Sequence, residues 1–373
     1  MTEEGRVGLV LTGGGARAAY QAGALRGISE ICQDLRIQQP FPVISGMSAG
    51  AINASFLAAR ADDIPSACAQ LSDLWGELRT QRVVNVGVTS LFRIALGLGI
   101  ELLSGNLMRK KNIRALLDTS PLRELLQNHV GFERISEQID KGALYSLAVT
   151  AANYSDGQSV TFFQTQSFVR SWKRTRRAGR LENITCEHVM ASTAIPLLFP
   201  PAKLGDHYFG DGSLRNYAPL SAPIRLGASK LLVIGVRKSQ SLQFTEAAPN
   251  PSPGRILTVL LNSILLDSVD VDYERLTRIN HTLQHIRPGA NTTLKPVDVC
   301  IVRPSEDIGV IAAEELDAMP RTLRHLLSGL GSSKETADLA SYLLFESRFT
   351  RRLIDLGYKD VMARKEDIIR LYS

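Results

Sequence analysis

Hydrophobic and polar positions follow two alternating periods along the opening segment of the chain. A short apolar run, Val7–Leu11, stops at Thr12-Gly13-Gly14-Gly15. Ala16–Cys32 follows, with Ala19, Leu25, Ile28 and Ile31 at helical spacing. The pattern then repeats. Pro40–Ser45 carries Val43-Ile44 and stops at Gly46, and the Ala-rich Ala49–Ala61 reads as a helix. Two strand–turn–helix units in succession predict a parallel sheet with helices on its faces. Ile64–Leu78, with Trp75 inside it, continues the helical pattern.

Further along, Leu144–Ala151 and Ser159–Gln164 read as strands, and the turn residues Asn153–Gly157 between them predict a hairpin. Leu231–Val236 and Val297–Val302 are apolar, β-branched strands; Pro249–Gly254 is a loop and Ile256–Leu283 a helix. Glu314–Ser373 is mostly helical in pattern. Val83–Leu107 stands apart, because only Arg93 and Glu101 are charged within it and Arg109-Lys110-Lys111 follows. It reads either as a buried cap helix or as an amphipathic element that touches lipid, with basic residues at its polar edge. Together these elements predict an α/β fold. It is a three-layer α/β/α arrangement with a mostly parallel central sheet over residues 5–305, and a helical C-terminal extension over residues 306–373.

Composition narrows the class. The chain has 373 residues, 21% of them charged, with a mean hydropathy near zero, which excludes a mostly disordered chain. Cys32, Cys68, Cys186 and Cys300 lie too far apart to suggest a disulfide scaffold, a zinc site or a redox pair. The longest uncharged run, Ile37–Ala59, is interrupted by Gln38, Gln39, Pro40, Pro42 and Asn53 and is too polar for a membrane span. Met1–Arg6 lacks a signal-peptide layout. These features lead to the expectation of a soluble cytoplasmic protein, peripheral at the inner membrane at most. The net charge of +6 permits contact with anionic surfaces without requiring it. Arg170, Lys173, Arg174, Arg176, Arg177 and Arg180 form a basic cluster with Trp172 as its one interleaved aromatic. That is thin support for nucleic-acid binding; a solvated face or an anionic-lipid contact fits better.

The chemistry is concentrated in short glycine-rich stretches. Gly46-Met47-Ser48-Ala49-Gly50 is the only G-x-S-x-G in the chain, and it sits between an apolar strand and an Ala-rich helix. This is the setting of a nucleophile elbow, in which a sharp turn exposes the serine Oγ and the helix N-terminus supplies N–H groups. Gly46 and Gly50 have no Cβ to block the close approach of strand and helix. Gly13-Gly14-Gly15-Ala16-Arg17 closes the neighbouring strand, where parallel pairing brings it beside Ser48. Three glycines let backbone N–H groups converge on an oxyanion. Arg17 either braces this loop or meets a lipid phosphate. The same stretch through Ala18 fits a dinucleotide fingerprint, with Asp34 at about the right distance, but Asp34 closes a helix rather than a strand. Six histidines supply no obvious base: His281 and His285 share a helix face, and His207 precedes Gly210-Asp211-Gly212. Asp211 lies on a sharp turn after a short strand, where a plain turn aspartate is the commonest reading.

The combination GGGAR, GMSAG, Ala191-Ser192-Thr193-Ala194-Ile195-Pro196 with Phe199-Pro200-Pro201, and Phe209-Gly210-Asp211-Gly212 resembles the patatin-like phospholipases, the bacterial members above all. The resemblance spans about Val7–Val302. It implies a patatin-like fold and a Ser-Asp dyad without a catalytic histidine. By position, Ser48 is then the nucleophile and Asp211 the general base, and Gly13, Gly14, Gly15 and Arg17 form the oxyanion loop. It implies hydrolysis of a phospholipid or another fatty-acyl ester with no metal or organic cofactor. Two residues depart from the family pattern: Ala18 stands where glycine is usual, and Ser213 follows Asp211-Gly212. Neither removes a catalytic group, but both bear on turnover. A non-hydrolytic lipid-binding protein on the same fold is the alternative, and a nucleotide-binding oxidoreductase is a more distant one. Reversing the charges of Arg174, Arg176 and Arg177 is expected to abolish binding to anionic vesicles in a sedimentation assay; unchanged binding removes the lipid-contact reading of the basic cluster.

Overall fold

The computed structural model describes residues 5–85, 117–239, 252–287 and 292–373, with backbone only for residues 333–335. Most of Val83–Leu107, from residue 86 onward, and Arg109-Lys110-Lys111 lie outside the described residues. The strands are β1 (Val7–Leu11), β2 (Val43–Met47), β3 (Ser146–Asn153), β4 (Ser159–Thr165), β5 (Trp172–Arg174), β6 (Arg177–Leu181), β7 (Ala202–Leu204), β8 (His207–Asp211), β9 (Lys230–Ile234) and β10 (Asp298–Val302). The helices of the first half are α1 (Ala19–Asp34), α2 (Ala49–Ala58), α3 (Ile64–Gly76), α4 (Ser120–His129), α5 (Glu133–Asp140) and α6 (Cys186–Thr193). Those of the second are α7 (Ser221–Arg225), α8 (Pro253–Leu265), α9 (Ser268–Gln284), α10 (Ile308–Glu314), α11 (Arg321–Ser328), α12 (Ser333–Ala340), α13 (Ser347–Ala363) and α14 (Lys365–Tyr372).

One mixed sheet runs in the order β10-β9-β1-β2-β3-β4-β6-β5. Its first five strands are all parallel. β1 and β9, inside the sheet, are buried on both faces, which is why they read as continuous apolar runs rather than alternating ones. Alternate residues feed two cores. Val7, Leu9 and Leu11 of β1, with Leu232 and Ile234 of β9, enter the larger core, which also holds buried residues of α1, α2, α3 and α13. Val10, Val43, Leu231 and Val233 enter a smaller core with Leu226, Val269 and Leu276 on the opposite face. Helices therefore cover both faces of the sheet, as the sequence pattern predicts.

β3 is the organising strand. β4 turns back on one of its edges as the expected hairpin. On the other edge β2 pairs with Ser146–Thr150 and stops. The remaining Ala151–Asn153 pair instead with β8, antiparallel, with Asp211 opposite Ala151. β2 and β8 thus meet end to end on a single edge.

The structure refines several sequence boundaries. The helix expected over Ala16–Cys32 starts as a 3₁₀ turn, Gly15–Ala18, before α1 proper. The helix expected over Ile256–Leu283 breaks at Leu266-Asp267 into α8 and α9, where Arg237 draws the Asp267 carboxylate aside. The basic cluster forms the β5–β6 edge hairpin. Cations there protect an open sheet edge from further strand pairing, and Arg177 also donates to Ser221 Oγ at 2.9 Å. The C-terminal helices share the main core. α13 lies against α1 so closely that a methyl on Gly23 would stand 1.8 Å from the Ile354 carbonyl oxygen, and one on Gly357 2.1 Å from that of Tyr20. Among the described residues no helix is long and apolar enough to cross a membrane.

Candidate active site

Ser48 follows β2 and caps α2 with φ 53° and ψ −134°, a backbone conformation that costs a non-glycine residue about 1–3 kcal/mol. The strain is held from both sides. The Ser48 N–H donates to Ser192 Oγ at 2.9 Å, and Ser192 Oγ donates to the Thr150 carbonyl at 2.7 Å. The turn is also sterically closed to larger residues. A methyl on Gly46 would stand 2.4 Å from the Gly50 carbonyl oxygen, and one on Gly50 2.3 Å from that of Leu11. This is the elbow that the G-x-S-x-G spacing predicts, and it is buried, with Ser48 only 2% exposed.

Asp211 enters from β8 at the same junction. Its N–H donates to the Ala194 carbonyl at 2.9 Å, and its Oδ1 accepts from the Ser213 N–H at 2.9 Å. The carboxylate is fully buried, and among the described residues no cation pairs with it. Burial raises its pKa to about 6, while the Ser48 hydroxyl and the Ser213 amide and hydroxyl pull the other way. The two hydroxyls lie close enough to favour the charged form without reaching full hydrogen-bond geometry to Oδ2. Asp211 therefore carries an oxygen with an open acceptor site and a proton affinity well above that of a free aspartate.

The glycine loop forms the third side. Gly13 packs on Ser48, where a methyl would stand 2.8 Å from the Ser48 Cβ and 2.7 Å from Ser213 Oγ. Gly15 has φ 57°, and a methyl on it would run into the Tyr342 carbonyl oxygen at 2.2 Å. The first amides of α2, at Ala49 and Gly50, directly follow Ser48 and have no partner within their helix. Arg17 does not extend into the cleft. Its guanidinium is buried, donates to Ser341 Oγ at 2.7 Å and pairs with Asp338. Of the two roles open to it in the sequence, it takes the bracing one. Ala18 has ordinary helical angles, φ −67° and ψ −9°, so its methyl adds no strain where glycine is usual.

An apolar cleft with a cavity volume of about 30 Å³ reaches Ser48. Ile52, Leu74, Trp75, Leu122, Phe199 and Phe345 line it. Beneath it, Trp75 Nε1 donates to Asn53 Oδ1 at 2.7 Å, and Asn53 Nδ2 donates to Gln21 Oε1 at 3.0 Å. Gln21 Nε2 in turn donates to the Thr12 carbonyl at 2.9 Å, so this buried network fixes the root of the glycine loop. Sequence reasoning missed it, although Gln21 and Asn53 were legible as polar outliers in apolar helices. It also quoted Ser192 without giving it a role.

The remaining candidates lie elsewhere. His207 opens β8 at its exposed end, with Nδ1 3.1 Å from Ser155 Oγ. His188 closes the capping box of α6 with Thr185. Asp34 ends α1 and pairs with Lys365 at 2.9 Å, so it is not at the end of the second strand, where a dinucleotide ribose would need it. Replacing Ser192 by alanine leaves the Ser48 N–H without its partner. Urea denaturation should show a loss of about 1–3 kcal/mol, with Ser48 reactivity reduced.

Comparison with known proteins places these features in context. Residues 9–224 match the family model "Patatin-like phospholipase". Among solved structures the chain is similar to VipD from Legionella pneumophila, with 14% identity, 98% of this chain and 67% of that chain covered, and a TM-score of 0.38. It is also similar to human GIVD cytosolic phospholipase A2, with 11% identity, 99% and 60% covered, and a TM-score of 0.41. The ExoU-SpcU complex of Pseudomonas aeruginosa is a third, with 16% identity, 97% and 52% covered, and a TM-score of 0.32. The chain thus spans between about half and two thirds of the length of these three chains. No curated relative matches the sequence. The family model covers more than half of the 373 residues, including the glycine loop, the elbow and Asp211: the chain belongs to the patatin-like phospholipase family.

Proposed function

We propose that the protein hydrolyses fatty-acyl esters of lipids through Ser48 and Asp211. The observation that carries this reading is the junction itself: a strained serine faces a buried carboxylate, with no cation paired to it among the described residues, at the head of an apolar cleft. Ser48 Oγ attacks the ester carbonyl while its proton passes to Asp211 Oδ2, the oxygen without a full partner. The negative charge that develops on the carbonyl oxygen is met by N–H groups of the Gly13–Gly15 loop and the first turn of α2. Collapse of the tetrahedral intermediate expels the alcohol, which takes the proton from Asp211. A water molecule then attacks the acyl-enzyme and gives a proton to Asp211, and Ser48 recovers its own as the fatty acid leaves.

The lining of the cleft favours an acyl chain. Apart from Ser48 and Thr193, whose hydroxyl already donates to the Val189 carbonyl at 3.0 Å, the described lining side chains are aliphatic or aromatic, so a hydrocarbon chain meets no unpaired polar group there. Contact with an anionic membrane through the β5–β6 hairpin belongs to the same proposal. The hairpin is separated from β3 by β4 in the sheet, so this contact orients the protein rather than touching the reacting bond.

A fluorophosphonate probe tests the reading. Wild type should label at Ser48 and release fatty acid from phospholipid vesicles. Ser48→Ala and Asp211→Asn should do neither at a measurable rate while keeping a native circular dichroism spectrum. A wild type that neither labels nor hydrolyses favours the non-hydrolytic lipid-binding alternative.

A further inference from the structure

The glycine loop is held from outside the family-matched region. Ala16 N–H donates to the Tyr342 carbonyl at 3.0 Å, the same oxygen that a side chain on Gly15 would strike. Arg17, 3% exposed, donates from Nε to Ser341 Oγ and from Nη2 to the carbonyl and carboxylate of Asp338. The Arg17 guanidinium also lies 4.3 Å from the centre of the Tyr342 ring. Asp338 is fixed in turn: its Oδ2 accepts from Asn262 Nδ2 at 2.6 Å, and Asn262 Oδ1 accepts from Tyr342 OH at 2.5 Å. Every partner of Arg17 and Ala16 in this list lies C-terminal to residue 224, where the family match ends.

We propose that Asp338, with Ser341, Tyr342 and Asn262, forms a clamp that positions the oxyanion loop, so that the C-terminal segment completes the catalytic machinery. This rests on the proposed hydrolase reading. Asp338 touches no reacting atom and is a positioning residue. Its carboxylate neutralises a buried cation and, through the planar guanidinium fork, fixes the direction in which the Gly13–Arg17 backbone presents its N–H groups. A loop that shifts by a fraction of an ångström still admits substrate but stabilises the oxyanion less. The clamp thus acts on turnover rather than on substrate binding.

The test uses the full chain. In Asp338→Asn, kcat on a lipid ester should fall roughly tenfold to a hundredfold with KM nearly unchanged. Amide hydrogen exchange in the peptide holding Gly13–Arg17 should speed up at least tenfold, on the general scale of losing one charge-assisted contact. The double variant Arg17→Met with Asp338→Leu removes both charges and is expected to recover stability, yet kcat should stay low and loop exchange fast. If kcat returns to the wild-type value in the double variant, or if loop exchange is unchanged in Asp338→Asn, the clamp does not position the loop and the proposal falls. Exchange is read without catalysis, so it decides the clamp even if wild type proves inactive; inactivity of wild type sinks the hydrolase reading instead.

Discussion

The site depends on one strand being longer than its neighbour. β3 offers eight residues; β2 pairs with the first five, and the last three are left for β8. Because β8 runs antiparallel into that vacancy, its last residue arrives where β2 ends. Ser48 is the residue after β2 and Asp211 the last of β8, so backbone hydrogen bonds rather than side-chain packing set their meeting. Loops are free to move by ångströms, whereas a ladder register changes only in whole residues and turns each side chain to the other face. The arrangement is therefore stiff before any substrate arrives.

That stiffness is used to hold two unfavourable groups. Ser48 occupies a left-handed backbone region, and Asp211 buries a carboxyl with no cation beside it among the described residues. The second cost depends on pH. The folded chain holds the Asp211 proton more tightly than the unfolded chain does, since burial lifts its pKa from 3.8 to about 6. The cost is absent below the lower value, grows as pH rises, and is complete above the upper one at about 3 kcal/mol. A neighbouring cation would remove this cost, and would also make Asp211 a poorer proton acceptor. The guanidinium of the glycine loop, that of Arg17, is instead buried against Asp338 and neutralised by it.

Much of this was legible in the residues. Continuous apolar runs alternating with helical periods implied the parallel core, and the spacing of Gly46, Ser48 and Gly50 implied the elbow, because strand and helix approach closely there. The role of Asp211 was not legible from its own surroundings, where D-G reads as an ordinary turn; the resemblance supplied it. β7 was missed because three residues carry too little periodicity, and the β3–β8 pairing because register between distant segments leaves no local trace. The anchoring of Arg17 was hidden for a related reason. Asp338 lies 321 positions away, on a helix whose polar residues look like any solvated face.

The measurement that tests this account most directly is the rate at which a fluorophosphonate labels Ser48 as a function of pH. If the buried carboxyl of Asp211 is the base, the rate should rise with pH as a single titration with its midpoint near 6 and level off above it. In Asp211→Asn the profile should be flat and low. A wild-type midpoint at or below 4, or a titration that survives in Asp211→Asn, would mean that another group activates the serine, and the account built on the β3 junction would be wrong.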